Sequence, residues 1–129
     1  FTANSLLNKW HEDLINEKKI ICFEDLKVAP LPCEFVTLAL QEWIAKPYHG
    51  ISHISPDQDI SYYELGIKMA KQLNIDEKQV LKSIASESCI YKPRKAYLDA
   101  NDSYSHIYPL DACINKVFND LIAGKNNKT

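Results

Sequence analysis

The sequence predicts an α/β fold, rich in helix and with few strands, and three stretches carry that prediction. The first is GISHISPDQDISYYELGIKMAKQL, Gly50 to Leu73. Ile51 and Ile54, with Ser52, His53 and Ser55 around them, read as a short strand begun by a glycine and stopped by Pro56. After a polar loop over Asp57–Asp59, Ser61 stands three residues before Glu64, the spacing of a capping box at a helix start. Tyr62, Leu65, Met69 and Leu73 then share one helical face, and Lys68, Lys71 and Gln72 fall to solvent. The second stretch is KIICF, Lys19 to Phe23, a compact β-prone run between charges. The third is the last helix, where Leu110, Cys113, Ile114, Val117, Phe118, Leu121 and Ile122 form an unbroken apolar stripe.

The remaining elements follow in order. Leu6, Leu7, Trp10 and Leu14 predict an amphipathic helix over Ser5–Asn16. Glu24 to Pro32 has no sustained period and ends in two prolines around Leu31, hence a loop. A second helix runs from Cys33 to Ala45, with Phe35, Leu38, Ala39 and Trp43 on one face and Pro47 as its stop. Asn74 ends the third helix, and Asp76 opens a further short helix with Val80, Leu81 and Ile84 apolar. Ser86 to Ser105 is irregular and tyrosine-rich. Gly124 is expected to end the last helix in a left-handed conformation, leaving 125–129 as a polar tail and 1–124 as the domain. Two strands separated by a helix make no comfortable sheet alone, so both are expected to need partners from outside the chain.

Composition narrows the function classes. The chain has 129 residues and a mass of 14.8 kDa, enough for one domain with a modest core. A net charge of -2 and a pI near 6.1 argue against a general nucleic-acid binder. No apolar run approaches the roughly 20 residues of a membrane span, and no signal-peptide pattern opens the chain. Cys22, Cys33, Cys89 and Cys113 form no CxxC pair and read as structural thiols of a reducing, cytoplasmic compartment. The chain begins at Phe1 rather than methionine, so a preceding segment is expected.

Motif chemistry is sparse. Tyr91 and Lys95 spell Y-x-x-x-K, but Pro93 between them breaks the helix that would bring the two side chains together. His11, His49, His53 and His106 show no metal-ligand spacing, and the three glycines form no phosphate-cradling loop. The aspartates of Asp57–Asp59 lack the glycine and downstream glutamate of a calcium loop and read as a solvated turn. No metal site, no cofactor site and no catalytic residue is therefore assigned. YKPRKAYLDAN, Tyr91 to Asn101, sets three cations beside two tyrosines. It is open to two readings. One is the wall of an anion-binding site, with Arg94 holding a phosphate and a tyrosine stacking on a base; the other is a solvated basic loop.

The order of landmarks resembles the C-terminal portion of the dTDP-4-dehydrorhamnose reductase family, among the extended short-chain dehydrogenases that act on nucleotide sugars. Lys19 to Asp25 is similar to that family's k-x-v-x-x-F-x-D strand, and Gly50 to Ser55 to its G-[IV]-x-H-[IVL]-S strand. Ser61 to Ala70 resembles S-[YF]-x-E-x-x-x-x-[IM]-A, and Lys92 to Asp99 resembles [RK]-P-x-x-x-x-L-D. The resemblance spans about residues 1 to 122. It implies the helix-rich, substrate-side portion of a Rossmann-type reductase whose cofactor-binding half is absent, inactive alone, with NAD(P) bound by the intact parent. It implies substrate contacts from Lys92, Arg94 and Tyr97. Departures are Lys92, where arginine is commoner, and APLP before the second helix, where proline–threonine is more usual. The family's non-catalytic regulatory branch supplies the alternative, a binding module of the same fold. Expected partners are the missing N-terminal half, a nucleotide sugar in the parent, and a second copy meeting GISHIS or KIICF; neither nucleic acid nor membrane is among them.

Overall fold

A computed structural model describes residues 5–47, 49–85, 94–100, 102 and 104–126. Helix α1 spans Leu6–Ile15, with Ser5 Oγ accepting from Asn8 N at 3.2 Å at its start. Strand β1 is Ile20–Phe23 and β2 is Lys27–Val28; α2 is Cys33–Ala45. Strands β3 (Ile54–Pro56) and β4 (Ile60–Ser61) lead into α3, Tyr62–Gln72. A single 3-10 turn, Glu77–Gln79, precedes β5 at Val80–Ser83. Strand β6 is His106–Tyr108, and α4 is Leu110–Asn126.

The predicted capping of α3 holds in its first half, since Glu64 N donates to Ser61 Oγ at 3.1 Å. Asn74 takes a left-handed backbone (φ 56°) just past the helix, and Ile75 N donates back to Ala70 O at 2.9 Å. Leu65, Gly66, Met69 and Ala70 are buried, so the apolar stripe faces the core as its spacing requires.

Both predicted strands find their partners within the chain. β1 pairs parallel with β5, in register Ile20↔Val80 through Phe23↔Ser83. β3 pairs parallel with β6, and β2 pairs antiparallel with β4. The expectation of a helix from Asp76 is thereby corrected. Asp76 does cap, accepting from Lys78 N at 2.9 Å, but only one turn follows before Val80 enters the ladder with β1. Burial of Val80 beside Ile20 and Cys22 outweighs a weak local helix signal. Strand β3 is also shifted from its expected place, running through Pro56 rather than stopping before it. His53 O accepts from His106 N, and Asp57 N donates to Tyr108 O, so the ladder never calls on the proline nitrogen. The last helix continues through Gly124 to Asn126, and Gly124 has no left-handed backbone. The case for self-association that rested on unpaired strands loses that footing.

The core joins three helices to one strand pair. Trp10 and Leu14 of α1, Leu65 and Met69 of α3, and Ile114, Val117, Phe118 and Leu121 of α4 pack with Ile20, Cys22 and Val80. Trp10 meets Tyr62 edge-on, with centroids 6.1 Å apart. Helix α2 stands apart, burying only Ala39 fully. It docks on β6 through Phe35 stacked on Tyr108 (4.5 Å) and on the residues before that strand through Trp43 Nε1 donating to Tyr104 O (2.7 Å). Leu38 is exposed, against its expected place on the buried face. Among the described residues no helix is long and apolar enough to cross a membrane.

Of the described cysteines, Cys33 is exposed while Cys22 and Cys113 are buried and unpaired; Cys89 lies outside the described residues. Burial pushes the Cys22 thiol from 9.0 up to about 12. The native state therefore holds a proton that the unfolded chain releases near pH 9. The associated stability is complete below pH 9 and is lost as pH rises from there towards 12. Urea midpoints are expected to fall between pH 8 and pH 10.5, less steeply in Cys22→Ala. An unchanged slope in that variant would assign the alkaline loss to other groups.

Candidate functional site

The C-terminal ends of parallel strands are where open α/β sheets place their ligands, because the chain leaves the sheet there in loops. At that end of the β1–β5 pair, Asp25 Oδ1 accepts from Ala85 N at 2.6 Å and ties the two exits together. Two residues on, Lys27 in β2 pairs with Asp59 at 3.6 Å. Asp59 in turn accepts from Ala96 N through Oδ2 at 3.0 Å. Ser55 in β3 accepts from Leu98 N at 2.9 Å and donates to Pro56 O at 2.8 Å. Two side chains of the GISHISPDQD stretch thus hold alternate amides of the basic segment 94–100.

That segment carries the residues expected to contact substrate. Arg94 is exposed and has no ion-pair partner among the described residues. Tyr97 is half-buried, and the Lys95 ammonium covers one face of its ring, 4.5 Å from the centroid. Lys95 also pairs with Asp99, and the hydrogen bonds to Asp99 and Tyr97 hold its ammonium above its ordinary pKa. Of three cations in the sequence motif, Lys95 is therefore engaged within its own segment and Arg94 is available. Lys92 and Tyr91 lie outside the described residues.

The aspartates of Asp57–Asp59 differ from the solvated turn expected of them. Asp57 Oδ1 accepts from Leu110 N at 2.8 Å at the start of α4, and Asp59 is the anchor just described. Ser55 and Asp59 were missed as site residues.

Nearby lies an apolar groove of about 320 Å³ between α1, the 28–33 loop, α3 and α4, lined by Leu6, Leu7, Val28, Pro30 and Leu65 among others. It contains neither Arg94 nor Tyr97. Among the described residues no three of His, Cys, Asp and Glu converge as metal ligands would. Gly50 precedes β3, Gly66 lies inside α3 and Gly124 inside α4, so none forms the turn from a strand into a helix.

Among the described residues the fold is α/β with parallel strands and four helices, and it resembles part of a reductase fold. Two solved dTDP-4-dehydrorhamnose reductases are similar to it. The enzyme from Bacillus anthracis str. Ames, determined in complex with NADP, matches with a TM-score of 0.65 and 15% identity, over 93% of this chain and 44% of that one. The enzyme from Yersinia enterocolitica matches at 0.59 and 13% identity, over 88% and 43%. The chain thus spans under half the length of these reductases. No protein-family model matches the sequence, and no curated protein does.

Proposed function

We propose that this chain is the C-terminal, substrate-side portion of an NAD(P)-dependent nucleotide-sugar reductase of the dTDP-4-dehydrorhamnose type. The observation that carries the reading is a coincidence. The described part of the segment that bears the resemblance motif, residues 94 to 99, is the part anchored by Ser55 and Asp59. Likeness of fold over 93% of the chain supports it.

In this reading Arg94 holds a diphosphate oxygen through charge-assisted hydrogen bonds, Lys92 adds a second cation, and Tyr97 offers its uncovered face to a base or sugar. The chain binds and orients; it supplies neither hydride nor proton. The dinucleotide belongs to a cofactor-binding half, and its docking place is the open face of the parallel pair. Ile21 and Leu81 are register partners there, 66% and 40% exposed, where parallel sheets are normally covered on both faces.

Titration of this chain with thymidine diphosphate tests the reading. Arg94→Ala is expected to weaken binding by about 1.5–3 kcal/mol, the scale of hydrogen bonds to charged groups. Equal affinity in the variant would leave Arg94 a solvated side chain. A second reading, a non-catalytic binding module of the same fold, is favoured by one observation. Leu38, Leu40, Ile44 and Ile51 are 48–81% exposed on α2 and the approach to β3, an apolar surface suited to a protein partner.

A further inference from the structure

Beyond the contact residues themselves, we infer that Ser55 and Asp59 are the positioning residues that set the ligand-facing side of segment 94–100. The inference rests on the substrate-side reading above. The segment belongs to no helix or strand, so no ladder fixes its backbone. Its hydrogen bonds to the body of the fold, among the described residues, come from Ala96 N to Asp59 Oδ2 and from Leu98 N to Ser55 Oγ.

These two bonds differ in kind from those of a solvated loop. Ser55 is 3% exposed and sits on β3, whose register is locked by Ile54↔His106 through Pro56↔Tyr108. The Asp59 side chain is 11% exposed, and Lys27 balances its charge from β2. Both acceptors therefore stand on strands or directly between strands, and neither can follow a moving loop. Amides two residues apart are held from one side, which fixes the backbone on either side of the intervening Tyr97. Arg94 lies two residues before the first anchored amide, so the same bond limits where its backbone can stray. The Lys95–Asp99 pair spans both anchors and draws the segment into a compact bend. A cationic contact gains affinity from being held in place before the ligand arrives, since less side-chain and loop freedom is lost on binding.

Three variants of this chain test the assignment: Ser55→Ala, Asp59→Ala and the conservative Asp59→Asn. Amide hydrogen exchange at Ala96 and Leu98 reports the anchors, and thymidine diphosphate titration reports the ligand. Exchange at Ala96 is expected to accelerate tenfold or more in Asp59→Ala, and at Leu98 by a similar factor in Ser55→Ala. Affinity is expected to fall about tenfold in each, while Asp59→Asn, which keeps an acceptor for Ala96 N, stays within threefold of the wild type. Circular dichroism and protected core amides identify any variant that has lost the fold, and Asp59→Asn then decides. If the wild type binds and the alanine variants bind equally well despite faster exchange, the two residues are structural only and the inference is overturned. A wild type that does not bind overturns the substrate-side reading itself, and the ligand role of the anchors with it.

Discussion

Replacing Gly66 with valine is expected to destabilise the fold by about 3 kcal/mol, the upper end of the usual cost of overpacking a core. A Cβ at Gly66 would lie 2.8 Å from Cys22 Sγ, 3.1 Å from Val80 Cγ1 and 3.5 Å from Ile20 Cδ1. All three belong to the β1–β5 pair, so the glycine is what lets α3 lie directly on the parallel strands. The backbone needs no glycine there, because the position is ordinary helix. Alanine at this site gains about 1 kcal/mol in helix propensity and loses more than that to the contact with sulfur. Cys22 is 1% exposed, so its thiol cannot turn out into solvent to relieve the contact. The sharper measurement is a cycle with Cys22→Ala. Removing the sulfur should restore much of the loss in Gly66→Ala, because residues in contact do not act additively. Full additivity would place the clash elsewhere.

That glycine also shows which parts of the fold the sequence could and could not disclose. The helices were legible because each carries its own instruction. Ser61 with Glu64, and the stripe from Leu110 to Ile122, are local patterns that survive in any context. The strand β5 is different. VLKS has one buried residue in four, and its identity as a strand comes from lying beside Ile20–Phe23, sixty positions earlier in register. Strands β2 and β4 are two residues each, too short to show any alternation. β6 follows a tyrosine-rich irregular stretch and is specified by pairing with β3 rather than by its own composition. Non-local pairing is thus what sequence periodicity could not supply.

The candidate site divides in the same way. Arg94 and Tyr97 stood out by chemistry, a guanidinium and an aromatic ring in one short segment. Their anchors did not, because a serine in a strand and an aspartate in a turn are unremarkable until the amides of Ala96 and Leu98 are brought to them. Lys95 illustrates the converse. It reads as a third available cation, and only the fold shows it engaged with Asp99 and Tyr97.

The largest single-site loss is expected at Phe118. Truncation to alanine should reduce stability by about 3–5 kcal/mol, a large share of the roughly 5–15 kcal/mol typical of a domain. Phe118 is 2% exposed in the middle of α4 and packs in the cluster that joins α4 to Trp10 and Leu14 of α1 and to Leu65 and Met69 of α3. The site already borders a cavity of about 10 Å³ with His11, Met69 and Leu121 among its walls, so the deletion enlarges a space rather than opening one in solid packing. How far the walls can close decides the cost. Helix α4 is held at its start by Asp57, which accepts from Leu110 N. It is held midway by Lys116, 2.7 Å from Glu34 of α2 and 3.0 Å from Asp120. Exposed ion pairs contribute little energy by themselves, but the contacts to Asp57 and Glu34 hold the half of α4 that leads into the cavity wall and limit how far it can shift. The upper half of the range follows. Urea unfolding should show a lower midpoint with an unchanged slope, the sign of lost stability without a changed unfolding transition. A loss below about 1.5 kcal/mol would mean that α4 shifts freely to fill the space, contrary to the anchoring described.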